Sequence, residues 1–281
     1  MASLLALLSA ASWGSGDFLG GYASRRGAKP GVVIVWGLPL SLAVLALAVA
    51  IDRNASPHPS DIAWGLAAGL VGSIALSAFY KALAIGPMSI AAPVSSVTNA
   101  LVPFSFGVAT GDALGAVALI GVVCALVSVV AVSLDPDPAA GDVGDARRCI
   151  PWALAAGVGF GAFFVLIDHT SSDAGLWPLL GVKASSGAVQ LAWAYRSRTS
   201  LRLPRDQRQL SIASGLFDAG ANGLFLFASR RGQLSQVAVL ASLYPVATVL
   251  WARVVLKERL GTSRMVGLAG ALGAAILLGT A

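Results

Sequence analysis

Ten times along this chain, an apolar run of about twenty residues is followed by a short polar connection. A helix of about 20 residues spans the hydrocarbon core of a bilayer and satisfies its own backbone hydrogen bonds there. The runs predict membrane helices at roughly 2–23, 31–51, 62–85, 88–109, 113–134, 151–170, 174–195, 209–230, 234–255 and 262–280. Only 11% of the residues are charged and 57% are hydrophobic, against about 25% charged in soluble domains. Water cannot solvate such a chain as a folded monomer, so the expected fold class is an all-α membrane protein. Residues 1–23 carry no basic segment ahead of their apolar run, and Arg25, Arg26 and Lys29 follow it. The stretch therefore reads as a retained first helix and not as a cleaved signal.

The ten runs fall into two halves that repeat each other. A shift of 146 residues lays Gly69 on Gly215, Gly86 on Gly232, Ser89 on Ser235 and Ser96 on Ser242. It also lays Gly115 on Gly261, Gly121 on Gly267, and "GDALG" on "KERLG", with Asp112 over Glu258. A shift of 147 places "SWGSG" on "GFGAF". The division follows: residues 1–134 as one five-helix repeat, 135–150 as the Asp-, Pro- and Gly-rich connection, and 151–281 as the second. Five is odd, so the second repeat enters the membrane in the opposite sense. Inverted repeats are a recurrent plan for secondary transporters, with the binding site at mid-membrane between them.

Charge orients the array. Of 19 Lys and Arg residues, Arg53, Arg230 and Arg231 flank one end of the bundle, Lys183 lies within a span, and the rest flank the other end. By the positive-inside rule the basic end is cytoplasmic and both termini face outward. The net charge of +6 is spread in short bursts between apolar runs and forms no face for nucleic acid. Two cysteines (Cys124, Cys149) and two histidines (His58, His169) give neither a disulfide framework nor a metal spacing, and no cofactor is expected.

Charges at membrane depth are costly and normally turn inward toward a partner or a wet path. Three stand out: Asp17 in span one, Lys183 in span seven and Asp218 in span eight. Asp17 is either an interfacial residue near Arg25 and Arg26 or a group lining a path. Trp13 lies four residues earlier and shares its helix face. Asp218, with Asn222 one turn on, sits in "FDAGANG", which has too many small and polar groups to face lipid. Lys183 can pair one acid and tie spans seven and eight together, leaving the other carboxylate free for a proton or a cationic substrate. Span four brings Pro93, Pro103, Ser95, Ser96, Thr98 and Asn99; span nine brings Gln236, Ser242, Tyr244 and Pro245. Proline frees a helix carbonyl, which is tolerated where a helix lines a cavity or packs on protein. Phe79, Tyr80, Phe225 and Phe227 are candidate aromatic walls. The candidate binding or coupling set is Trp13, Asp17, Tyr80, Asn99, Lys183, Asp218, Asn222 and Tyr244. Spans five and ten, almost devoid of polar groups, read as peripheral. The glycines at 267, 270 and 273 form a small-residue seam for internal packing or, as the alternative, for a homodimer; a monomer is favoured.

The motifs "ASWGSGDFLGG", "AFYKALAIGPMSIAAPVSS" and "SLYPVATVLWARVVLKERLGTSRMVGLAGALGAAILLG" resemble the EamA-type branch of the drug/metabolite transporter superfamily. That resemblance implies a ten-helix carrier with a central cavity between pseudo-symmetric halves, and substrates as diverse as amino acids, sugars, vitamins, amines and drugs. The pattern departs from symmetry where Thr98-Asn99 stands against Tyr244-Pro245. The expected function is a secondary active or facilitative carrier of a small metabolite across a cell membrane, with bacterial inner membrane as the expected site. Its halves would rock about the midplane site by alternating access. Export is favoured, with proton coupling as one energy source, since the chain has no G-x-x-x-x-G-K-[ST] string for ATP. Two other classes compete. "GSGD" matches the G-x-G-D string of intramembrane aspartyl proteases, with Asp218 as a second acid. The third class is a non-transporting scaffold or sensor.

Overall fold

A computed structural model describes residues 1–52, 54–85, 88–112, 115–133, 146–256 and 262–280. The side chains at 25, 80, 83–85, 88–93, 132–133, 146–147, 249, 252–253, 256, 264, 268, 275 and 279–280 stand outside that description. Glu258, Pro93 as a side chain and most of the 135–150 connection therefore lie outside the described residues.

The described chain is helical, with eleven α-helices and one 3-10 turn. They are α1 (Ala2–Arg25), α2 (Pro30–Ile51), α3 (Pro59–Ile85), α4 (Met88–Thr110), α5 (Ala116–Ser133) and α6 (Ala146–Asp168), then α7 (Trp177–Arg196), α8 (Arg205–Ser229), α9 (Leu234–Ala241), α10 (Tyr244–Leu256) and α11 (Thr262–Thr280). The ten expected spans are all present, and span nine is split into α9 and α10. The split falls where Pro245 would leave a carbonyl without its helical partner. Proline is instead accommodated in the first turn of α10, where its missing N–H costs nothing. α4, with Pro103 in its interior, stays continuous, so the two halves differ where Thr98-Asn99 replaces Tyr-Pro. Span seven starts at Trp177 and not at 174, because Ser172–Ala174 form the 3-10 turn and Gly175 adopts φ +54°. Among the described residues, four segments are long and apolar enough to cross a membrane: Pro30–Ile51, Pro59–Phe79, Arg148–Asp168 and Arg205–Ser229.

The helices pack across the halves. α1 lies along α8 and α3 along α6; α4 meets α6 as α1 meets α9 and α10; α3 meets α7 as α2 meets α8; α5 meets α11. Exchanging each span for its counterpart five spans on converts each of these pairings into another and maps α5–α11 onto itself. This is the signature of a pseudo-twofold relating two inverted repeats. Ser96 Oγ donates to the Ser242 carbonyl at 3.3 Å, and these two residues are one repeat apart, so the axis passes between α4 and α9. Two cross-half groups emerge, α1–α2–α8–α9–α10 and α3–α4–α6–α7, with α5 and α11 paired at the periphery. Each group therefore mixes helices of both sequence halves.

Small residues set the close crossings. A Cβ on Gly215 would strike the backbone of Gly37, and one on Gly69 would strike the backbone of Val182. These are equivalent contacts, α8 on α2 and α3 on α7, which explains why the repeat aligns Gly69 with Gly215. Serines stitch α1 to α8: Ser9 Oγ donates to the Ala221 carbonyl (2.8 Å), Ser12 Oγ to that of Phe217 (2.7 Å) and Ser214 Oγ to that of Gly16 (2.8 Å). In the peripheral pair Gly270 faces Ser128, so part of the glycine seam serves internal packing, while a Cβ added at Gly273 would meet no neighbouring helix within 4 Å among the described residues. Asp112, the acid of "GDALG", accepts the Ser235 N–H at 3.0 Å and so caps the start of α9.

The two ends differ. At the end holding Met1, Asp168 and Ser229, large side chains fill the interior: Ile167, Leu179, Leu226, Val237 and Leu240 are all at most 2% exposed. There Asp61 accepts from the His58 N–H (2.7 Å), the Ser171 N–H (2.7 Å) and the Ser171 hydroxyl (3.0 Å), tying the start of α3 to the segment after α6. Arg230 donates to the Gly175 carbonyl and the Thr170 hydroxyl at the same end. Toward the basic end the interior opens.

Candidate functional site

The opening is a cavity of about 190 Å³ enclosed between the two mixed groups, with walls from α1, α2, α3, α4, α6, α7, α8 and α10. Its lining runs from Asn222 and Tyr244 at mid-depth to Val33 and Ile34, one turn from the basic end of α2. On the far side it is floored by an aromatic layer. Phe164 and Phe225 stack with centroids 4.2 Å apart, and Trp13 packs on both at 5.4 and 5.8 Å. Each ring comes from a different helix, so the layer bridges the two groups.

Of the candidate residues, Trp13, Asp17, Asn99, Lys183, Asp218, Asn222 and Tyr244 all line this one cavity. The Tyr80 side chain lies outside the described residues, while its neighbour Phe79 is on the wall. Phe227 lies elsewhere, beneath the Arg231 guanidinium at 5.5 Å. Phe160, Phe163 and Phe164 also form wall, and the sequence reading did not select them. Phe160 had a signal, since the 147-residue shift lays it on Trp13.

Charge is arranged asymmetrically. The Lys183 ammonium bonds the Asp218 carboxylate directly, joining α7 of one group to α8 of the other. Asp218 also accepts from the Trp13 indole N–H (3.2 Å) and the Asn222 amide (3.1 Å). Lys183 is 6% exposed and offers the cavity little. Asp17 is exposed to the cavity, and among the described residues no hydrogen bond or ion pair reaches its carboxylate. Asp17 thus stands on the cavity wall. An aspartyl-protease dyad needs two carboxylates sharing a proton; here one of the two is tied up by a lysine, an indole and an amide. Asn99 is 2% exposed, and among the described residues its Oδ1 has no partner.

A two-repeat membrane bundle with a half-open, charged and aromatic hollow at mid-depth defines the class: a membrane transporter of small molecules. The family model of the EamA-like transporter family matches residues 1–134 and 147–280, and the chain belongs to that family. It is accordingly a multi-pass membrane protein. No curated protein matches the chain in sequence. One solved structure, described only as a crystal structure of a protein, superposes with a TM-score of 0.80 at 17% identity, covering 99% of this chain and 98% of that one. At that identity the likeness speaks for the fold alone.

Proposed function

We propose that the protein is a secondary carrier that passes one small metabolite at a time through this cavity by alternating access. The observation that supports the reading most is a mid-depth hollow closed by the Trp13–Phe164–Phe225 layer on one side and extending to the basic end on the other. Under the positive-inside rule that end is cytoplasmic, so the conformation loads from inside, in keeping with export across a bacterial inner membrane. The α1–α2–α8–α9–α10 and α3–α4–α6–α7 groups are the bodies that tilt about the Ser96–Ser242 axis. Tilting parts the aromatic layer and closes the basic end. An ion gradient drives the cycle, or the metabolite's own gradient does.

The test is a thermal-shift screen of the purified protein against amino acids, vitamins, amines and dyes. A ligand that binds only the folded state at 100 times its Kd stabilises it by about 2.7 kcal/mol. At least one compound is expected to raise the melting temperature of the wild type and to lose that effect in Ser186→Trp, whose indole would fill the cavity from α7. Shifts that survive the filled cavity would place binding elsewhere and contradict the reading.

A further inference from the structure

We propose that the cavity takes an organic monocation with an apolar body, and that Asp17 supplies its counter-charge; this rests on the carrier reading above. The described lining holds three charged side chains, Asp17, Lys183 and Asp218. Lys183 and Asp218 neutralise each other in direct contact, so the hollow carries one uncompensated negative charge, and it sits on Asp17.

The alternatives are disfavoured by the same geometry. A charged side chain able to receive an anion, or the negative group of a zwitterion, would have to be a cation. Lys183 is the one candidate on the described lining; it is almost fully buried and committed to Asp218. A neutral ligand gives the Asp17 charge no counter-ion. A monocation cancels that charge. Trp13, Phe79, Phe160 and Phe163 line the same cavity as Asp17. Aromatic faces attract ammonium groups as well as apolar bodies, and the Asn99 Oδ1, without a partner among the described residues, offers an acceptor for an N–H donor. The small volume limits the body to about one ring.

The experiment is equilibrium binding to purified full-length protein, read by tryptophan fluorescence and by melting temperature. The probes are phenethylammonium, choline and tetraethylammonium, with phenethyl alcohol and 3-phenylpropionate as neutral and anionic counterparts. At least one cation is expected to bind, with the neutral and anionic compounds weaker by about tenfold or more. Asp17→Asn should weaken the cation by a similar factor while its unliganded melting temperature stays near wild type, and Asp17→Glu should restore binding. Cation binding that persists in Asp17→Asn overturns the proposal. So does preferential binding of the alcohol or the acid, and in that case the carrier reading stands with a different substrate class. A complete absence of binding by the cations overturns it as well, and cysteine labelling of the cavity wall then decides separately whether the carrier reading survives.

Discussion

Lys183→Met is expected to lower the stability of the folded protein by about 1–3 kcal/mol and to abolish transport. The loss has two sources. Removing one member of a buried pair leaves the other charge uncompensated, typically at 3–5 kcal/mol. The Asp218 side chain is 45% exposed to the cavity, and Trp13 and Asn222 still donate to it, so the cost here falls below that range. Lys183→Met combined with Asp218→Asn should recover most of the stability, because no orphan charge remains. A thermodynamic cycle over the four proteins measures the coupling. Transport should stay lost in the double variant, since the bond between α7 and α8 is gone. A coupling energy near zero would mean that the pair does not hold α7 to α8.

Gly215→Leu is expected to have the largest structural effect. Its Cβ has no room against the Gly37 backbone, and backbone cannot rotate away as a side chain can. α2 and α8 must separate, which opens the serine-stitched seam between α8 and α1 as well. Overpacking a core costs about 1–3 kcal/mol where side chains can yield; against backbone, failure to accumulate as a monodisperse species is expected. Gly69→Leu should behave alike, being the counterpart one repeat earlier. Gly273→Leu, whose Cβ would meet no neighbouring helix within 4 Å among the described residues, should purify like the wild type. Size-exclusion profiles of the three variants check this ordering, and equal behaviour of Gly215→Leu and Gly273→Leu would refute it.

Much of the architecture was legible because membrane crossing imposes a length and a composition that few other constraints imitate. The span edges agree with the helices to within a few residues. The main shifts arise where a helix outruns the bilayer, as α6 does by beginning at Ala146 and running through Pro151, or where a glycine turn delays it, as before α7. The repeat was readable at glycines because close crossings fall at equivalent places in both halves. The interleaving of the halves was not readable, since hydropathy says nothing about which helix touches which. The same limit applies to the site. Trp13, Asp17, Asn99, Lys183, Asp218, Asn222 and Tyr244 could each be picked out as polar or aromatic groups at depth. That Lys183 takes Asp218 and leaves Asp17 open depends on how α1, α7 and α8 meet. Phe163 and Phe164 did not stand out in the sequence, because a cavity wall and a lipid-facing helix use the same aromatic residues.

The central claim is a water-filled hollow that communicates with one side of the membrane at a time. Ser186→Cys, on the cavity wall of α7, tests it in a background where Cys124 and Cys149 are replaced by alanine. Vesicles of known orientation are treated with a membrane-impermeant methanethiosulfonate reagent from each side in turn. Rapid labelling is predicted from the basic end, slowed by any ligand that raises the melting temperature, with labelling from the opposite end slower by about tenfold or more if the closed aromatic layer prevails by about 1.4 kcal/mol. Equal labelling from both sides, or none from either, would contradict it.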